Sequence, residues 1–126
     1  MILTDRKQAE HYRAERLWGN ISLDGLVARW AREKPDVPAL IDARGRLTWK
    51  EVDSAVNALA RQFLSLGLEA DNVVAVQLDN SIEMPIVLLA VFRANLIASP
   101  LPPLWRHREI IGALSQVAPK AIVTRS

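Results

Sequence analysis

The spacing of apolar and polar residues divides the chain into short strands and amphipathic helices. The densest apolar stretch, Val73 to Leu101, has the pattern of a strand, a turn, a long apolar helix and a second strand. A nearly unbroken β-branched run such as Val73–Leu78 is typical of a strand covered on both faces, and hence of a parallel sheet with helices packed on it. We expect the other segments to cover this stretch.

The segment from Thr48 to Gly67 predicts an amphipathic helix with a defined start and end. Thr48 and Glu51 have the spacing of a capping box, in which each side chain accepts a hydrogen bond from the backbone amide of the other. Apolar residues follow at helical spacing, and polar residues that include Asp53 and Asn57 take the opposite face, which we expect to be solvated. Gly67 occupies the position where a left-handed residue commonly ends a helix.

The rest of the pattern predicts a consecutive series of elements in two units. A polar helical segment covers residues 1–20, and a second unit covers residues 21–126. In the second unit the predicted helices are 23–34, 49–66, 82–94 and 106–117, and the predicted strands are 39–41, 46–47, 73–78, 96–98 and 121–124. The first two strands predict a hairpin, and the last three predict two consecutive βαβ units with right-handed crossovers. The predicted fold class is therefore α/β, with a mostly parallel sheet and a small N-terminal hairpin.

The predicted helix over residues 82–94 is apolar on almost every side. Burying its eight large apolar side chains is worth roughly 12–24 kcal/mol gross, at about 1.5–3 kcal/mol each. The net stability of a whole domain is only about 5–15 kcal/mol. Such a helix needs cover, so we expect either the rest of a larger protein or self-association through the apolar sheet and this helix. Asn95 follows it as a left-handed terminator.

Composition excludes several classes of protein. The 126 residues are 50% hydrophobic and 24% charged, which is ordinary for a globular domain. The absence of cysteine excludes disulfides and thiolate chemistry, and a net charge of +2 is too small to indicate nucleic-acid binding. Polar residues interrupt the most apolar window, and the first residues lack the apolar core of a signal peptide. We expect a cytoplasmic protein with neither a nucleic-acid nor a membrane partner.

Motifs that carry chemistry are scarce. The five glycines are isolated, so neither a phosphate-binding loop nor a dinucleotide fingerprint can be built from them. The two histidines, His11 and His107, lie far apart in sequence, and no nucleophile motif is present. We therefore predict no catalytic residue and no metal ligand in this chain.

One cluster, Pro103–Glu109, has a functional pattern. Arg106 and Arg108 lie beside Trp105 at the start of a predicted helix, where backbone amides and the helix dipole favour an anion such as phosphate. The same residues are also compatible with an ordinary helix start, at which the tryptophan packs on the sheet and the charges are solvated. The residues alone leave both interpretations open.

From Trp18 to Thr124 the order of these pieces resembles the opening of the adenylate-forming superfamily, the acid–CoA ligases and aryl-acid adenylating enzymes. The matching stretches are PDVPALID, RLTWKEVDSAVNALARQFLSLGL, VVAVQLDNSIEMPIVLLAVFRANLIASPL and RHREIIGALSQVAPKAIVT. The segments HYRAERLW, VQLDN and PLPPLWRHREI are especially similar to members that activate aryl or cyclic carboxylic acids. The departures from the family pattern are mild: Trp49 for Tyr, Ala70 for Gly, Asp79 for Pro and Asn95 for Gly.

The resemblance implies both a reaction and a limit. Family members convert a carboxylate and ATP, with Mg, to an acyl-adenylate and pyrophosphate, and then transfer the acyl group to CoA or a carrier thiol. The phosphate loop, the adenine motif, the ribose-binding aspartate, the hinge and the catalytic lysine come later in family sequences and are absent here. The chain is thus expected to be a truncated N-terminal subdomain that is inactive alone, binds no cofactor by itself and has the remainder of a parent enzyme as its partner. In some relatives basic residues near this last helix contact the CoA phosphates, which suggests that role for Arg106 and Arg108.

Two alternatives compete with the enzyme fragment. The chain could be a free-standing α/β interaction module that docks through its apolar helix or its Arg106 and Arg108 end. It could also be a small flavodoxin-like nucleotide binder, which only analogy of fold supports.

Overall fold

The computed structural model describes residues 5–125, which form five helices and five strands. The helices are α1 (Arg6–Ala14), α2 (Leu23–Glu33), α3 (Trp49–Ser65), α4 (Glu83–Arg93) and α5 (His107–Val117). The strands are β1 (Pro38–Asp42), β2 (Gly45–Thr48), β3 (Val73–Gln77), β4 (Ile97–Pro100) and β5 (Ala121–Thr124). The ends of α2 to α5 and of all strands lie within about two residues of the predicted ends, which is the usual uncertainty of such boundaries.

The strands form the two sheets that the pattern predicts. β1 and β2 pair antiparallel as a hairpin, and β3, β4 and β5 form a parallel sheet in the order β4-β3-β5. The chain moves from β3 to β4 on one side and then returns across β3 to β5. The right-handed crossovers expected of such connections put α4 and α5 on opposite faces of the sheet. The α/β class with a small hairpin and a parallel sheet is confirmed.

The core lies between β3 and the helices α2, α3 and α4. The three central residues of β3, Val74–Val76, are completely buried, as expected for a strand covered on both faces. Val56 of α3 and Val91 of α4 are also completely buried against them. α5, in contrast, contributes no buried residue.

Local caps define the ends of the central helices. The Thr48 Oγ1 accepts a hydrogen bond from the Glu51 amide at 3.3 Å, and the Glu51 carboxylate accepts one from the Thr48 amide at 2.7 Å, so the predicted capping box is formed. Gly67 has φ +81° and Asn95 has φ +57°, and both are left-handed terminators as predicted.

One guanidinium joins three helices. Arg93, near the end of α4, donates to Asp53 Oδ1 at 2.8 Å, to Asn57 Oδ1 at 2.9 Å and to the Asp24 carbonyl at 2.8 Å. The expectation that Asp53 and Asn57 lie on a solvated face was wrong. Both are half-buried, because the end of α4 and its arginine cover that part of α3.

The N-terminal helix is shorter than the predicted segment. α1 ends at Ala14, and the amides of Leu17 and Trp18 then donate to the Tyr12 carbonyl at 2.9 and 3.1 Å. Trp18 folds back onto Tyr12 with 5.2 Å between ring centroids, whereas Leu17 is 69% exposed. Residues 1–4 of the predicted segment lie outside the described residues. Between residues 5 and 125, no helix has the length and apolar character needed to cross a bilayer.

Candidate functional site

A groove lies where the carboxyl ends of β3 and β5 meet. β4 and β5 flank β3 on opposite sides, so the winding of the chain reverses between β3 and β5. In open α/β sheets, ligands bind in the crevice outside the carboxyl ends of the strands at such a switch point. The groove measures about 370 Å³, and the lining residues that matter here are Gln77, Asp79, Trp105, Arg106, Thr124 and Arg125.

Gln77 of β3 holds one wall of this groove, which is formed by the segment between β4 and α5. The Gln77 Nε2 donates to the carbonyls of Pro102 and Trp105 at 3.1 and 3.0 Å. The Leu101 amide also donates to the Val76 carbonyl at 2.8 Å, which prolongs the pairing of β3 with the chain after β4. The prolines of this segment have no backbone N–H to donate and favour an extended backbone. The two bonds from Gln77 hold this extended segment beside the end of β3.

Arg106 lies in this wall at the start of α5. Its amide donates to the Glu109 carboxylate at 3.1 Å, so this amide is not free for a ligand. Trp105 is 38% exposed and Leu104 is 90% exposed, so neither side chain is packed away under the sheet. The groove therefore presents apolar surface beside a cation.

The structure brings only one of the two predicted arginines into the groove. Arg108 is exposed on α5 and does not belong to the groove lining, whereas Arg125, directly after β5, does. Sequence reasoning did not single out Arg125, because its partner Asp79 lies 46 residues away. The available signal was a cation immediately after the last predicted strand.

Arg125 belongs to a chain of charges along this edge of the sheet, which we call the edge network: Asp42, Arg44, Asp79, Glu83 and Arg125. The Arg125 Nη1 lies 2.8 Å from Asp79 Oδ2, and its Nη2 lies 3.8 Å from Glu83 Oε1. Arg44 of the hairpin turn binds both Glu83 and Asp42, the latter at 3.2 Å. The network connects the hairpin, the start of α4 and the end of β5.

Hydrogen bonds lower the pKa of two carboxylates of the edge network, those of Asp42 and Glu83. The pKa of Glu83 is lowered to about 2, chiefly by the hydrogen bond that its carboxylate accepts from Arg44. The pKa of Asp42 is also lowered, first by the Ile82 amide and then by the Arg44 amide, which both donate to it. The Ile82 amide lies 3.1 Å from Asp42 Oδ2, so the hairpin supplies the side-chain cap that α4 lacks.

A second groove, between α2 and α4, is lined only by apolar side chains. It measures about 330 Å³, and its walls include Leu23, Leu26, Trp30, Leu88 and Phe92. Leu23 is 63% exposed and Phe92 is 40% exposed, so the groove is open to solvent. No polar group orients a ligand there, which makes it a contact surface rather than a chemical site.

The residues of the groove between β3 and β5 are suited to binding a ligand. The groove combines two guanidinium groups with an indole ring and holds no hydroxyl or imidazole that is paired with a base, as nucleophilic catalysis would require. Within residues 5–125 no three His, Asp or Glu side chains are grouped so that they could hold a metal ion. An anion, or an anion attached to a flat ring, is the ligand that suits this arrangement.

The fold and this switch-point groove define an open α/β unit of the kind found in nucleotide-handling enzymes. A family profile described as "AMP-binding enzyme" matches residues 27–126, and the chain therefore belongs to the AMP-binding enzyme family. The predicted resemblance to the N-terminal portion of adenylate-forming acid–CoA ligases is confirmed.

Curated relatives point to the same family. The chain is 33% identical over 110 residues to the medium-chain fatty-acid–CoA ligase of Escherichia coli (strain K12), a match covering 86% of this chain and 19% of that protein. It is 30% identical over 115 residues to the 2-hydroxy-7-methoxy-5-methyl-1-naphthoate–CoA ligase of Streptomyces carzinostaticus, which covers 91% of this chain and 21% of that protein. The chain thus spans about a fifth of the length of these relatives.

Solved structures share the fold. The N-terminal subdomain of NpsA from Klebsiella oxytoca superposes with a TM-score of 0.76 at 22% identity, over 82% of this chain and 27% of that one. VinN superposes with a TM-score of 0.82 at 20% identity, over 86% of this chain and 29% of that one. The architecture is therefore that of an adenylation N-terminal subdomain.

Proposed function

We propose that this chain is the N-terminal part of an ATP-dependent, cytoplasmic enzyme that activates a carboxylic acid. The enzyme forms an acyl-adenylate with release of pyrophosphate and then transfers the acyl group to CoA or a carrier thiol. The observation that carries the proposal is the family profile over residues 27–126, together with the two CoA ligases among the relatives. ATP and Mg serve the first step, and CoA or the carrier serves the second.

In this proposal the chain supplies scaffold and one binding surface, not the reacting groups. Its glycines are isolated, so no backbone loop surrounds a phosphate. Its buried strand β3 and the arginine bridge among α2, α3 and α4 provide a rigid base. The rest of the enzyme contributes the nucleotide site and the catalytic residues, and the chain alone is inactive and binds no cofactor appreciably.

The groove between β3 and β5 is proposed to receive a phosphate group of CoA. Arg106 is the contact in this groove, Arg108 lies two residues further along α5, and Arg125 faces from the end of β5. Two cations in one groove fit the charge of a phosphate, and the exposed Trp105 offers a surface for the attached ring. CoA would supply the thiol that accepts the acyl group. This chain's residues would only hold and orient it.

We also propose that the isolated chain self-associates. The apolar groove between α2 and α4 is open, and on the other side of the sheet Ile111 of α5 and Ile122 of β5 are 52% and 50% exposed. In the whole enzyme, later segments would cover these surfaces. A second copy is the available cover when the chain is alone.

The test compares the whole enzyme with the 126-residue chain. Each is incubated with ATP, Mg²⁺ and a panel of medium-chain and aryl carboxylic acids, and pyrophosphate release is measured. The whole enzyme should release pyrophosphate with at least one acid, and the isolated chain should not exceed the buffer rate. Release by the chain alone would show that it is not an inactive part, and no release by the whole enzyme with any acid would favour a non-catalytic interaction module.

The same assay separates the CoA contact from the first step. Arg106→Ala in the whole enzyme should raise the KM for CoA about three- to tenfold, which is what loss of one charge-assisted hydrogen bond in an exposed site produces. The rate of pyrophosphate release measured without CoA, which reports the first step alone, should not change. Arg61→Ala, at an exposed cation of α3, is the matched control. Unchanged CoA KM values in both Arg106→Ala and Arg108→Ala would refute this site.

A further inference from the structure

Arg125 belongs both to the groove and to the edge network. Its guanidinium is half exposed, with Nη1 at 2.8 Å from Asp79 Oδ2 and Nη2 at a looser 3.8 Å from Glu83 Oε1. Arg106, across the groove, makes no side-chain ion pair with any residue between 5 and 125. The two cations of the groove are therefore in different states, one free and one already neutralised.

The edge network carries an excess of negative charge. Three carboxylates, those of Asp42, Asp79 and Glu83, face the two guanidinium groups of Arg44 and Arg125. An anion that enters the groove and binds Arg125 must therefore compete with a carboxylate that already holds this side chain. Because the pair is exposed, the competition is moderate in strength and depends on salt.

Asp79 and Glu83 have different roles in this network. Glu83 binds Arg44 of the hairpin as well as Arg125, so its removal would disturb the packing of the hairpin on α4. The Asp79 carboxylate pairs with Arg125 alone among the residues of 5–125. Its backbone carbonyl separately accepts from the Ser81 amide at 2.9 Å, which holds the turn without the side chain.

We propose that Asp79 is a built-in competitor for Arg125, and that it sets the affinity of the groove for a phosphate-bearing ligand. When no ligand is bound, the Asp79 carboxylate holds the Arg125 guanidinium at the opening of the groove. When a phosphate binds, Arg125 turns from Asp79 to the ligand, while the longer contact with Glu83 keeps it at this edge of the sheet. The inference rests on the proposed function only in naming CoA as the ligand.

The test measures CoA binding to the whole enzyme by calorimetry, without turnover. Asp79→Asn preserves the size of the side chain and removes its charge, so CoA should bind about two- to fivefold more tightly at low ionic strength. This gain in CoA affinity should shrink in about 0.5 M NaCl, because the Debye length then falls to a few ångströms and the charge of Asp79 is screened in the wild type. Asp71→Asn is the matched control, because it makes the same charge change at the other end of β3 and should leave the affinity unchanged.

A double variant identifies Arg125 as the group for which Asp79 competes. Arg125→Met should weaken CoA binding, and adding Asp79→Asn to it should bring no further gain. Unchanged or weaker binding by Asp79→Asn, the same gain in the Arg125→Met background, or no CoA binding by any variant would each overturn the inference. Calorimetry does not depend on acid activation, so a whole enzyme that releases no pyrophosphate would contradict the proposed function and leave this test intact.

Discussion

At the scale of single residues, Arg93 is a charged side chain that bridges the three helices α2, α3 and α4. Its side chain is 15% exposed and makes hydrogen bonds or ion pairs with Asp24, Asp53 and Asn57. Its charge lies where α2, α3 and α4 meet, so each bond links elements far apart in sequence. Removing one partner of such a pair leaves the remaining carboxylates partly buried without compensation.

Replacing Arg93 should therefore destabilise the chain. Arg93→Met keeps the length of the side chain and removes its five donors, and we expect the free energy of unfolding to fall by about 2–4 kcal/mol, below the upper range for fully buried pairs. Urea denaturation followed by tryptophan fluorescence measures the change. Arg61→Met, at an exposed position of α3, should change stability by no more than about 0.5 kcal/mol. An Arg93→Met chain as stable as this control would contradict the bridging role.

At the scale of elements, the helices differ in where their caps come from. α3 is capped by its own Thr48 and Glu51, three residues apart, so its start could be predicted from spacing alone. α4 has no side-chain cap of its own and takes the Asp42 carboxylate from the hairpin, 40 residues earlier. Pro85 is the third residue of α4, where its missing N–H has no intrahelical partner to lose, so the first turn of the helix accommodates it.

The attachment of the hairpin to α4 should depend on pH. The pKa of Glu83 is lowered from 4.5 to about 2, chiefly by the hydrogen bond with Arg44, so the folded state holds the ionised form more strongly than the unfolded chain does. The resulting stability is fully present above pH 4.5 and is lost as the pH falls towards 2. In urea titrations Glu83→Gln should be less stable than wild type at neutral pH, and this difference should shrink across that window. Glu10→Gln, an exposed change on α1, should follow the wild-type curve, and a pH-independent difference for Glu83→Gln would refute this linkage.

At the scale of the whole molecule, the described residues leave apolar surface on both sides of the parallel sheet. The helix predicted to need cover does bury Val87, Ala90 and Val91, but Phe92 remains 40% exposed beside the open groove against α2. α5 buries none of its residues on the opposite side. The excess apolar character of the sequence is therefore only partly satisfied within this chain.

Light scattering should show whether a second copy covers these surfaces. At micromolar concentration the wild-type chain should have an average mass above that of one chain. Leu23→Asp places a charge at the mouth of the groove and at the first residue of α2, where an acid is compatible with the helix dipole, and it should shift the mass towards one chain. Leu64→Asp, at an exposed leucine of α3 outside the groove, is the control. A wild-type mass of one chain, with no binding of an apolar dye, would contradict self-association.

By itself the sequence determined what depends on neighbours along the chain. The helices and strands, the capping box of Thr48 and Glu51, the left-handed Asn95 and the family all follow from patterns a few residues to a few tens of residues long. The tertiary structure alone decided which distant side chains meet, because the order β4-β3-β5 and the two crossovers place them and no sequence spacing encodes that order. In the structure Arg125, and not Arg108, lines the groove with Arg106, and Arg125 pairs with Asp79. Asp53 and Asn57, which were predicted to lie on a solvated face, are partners of Arg93.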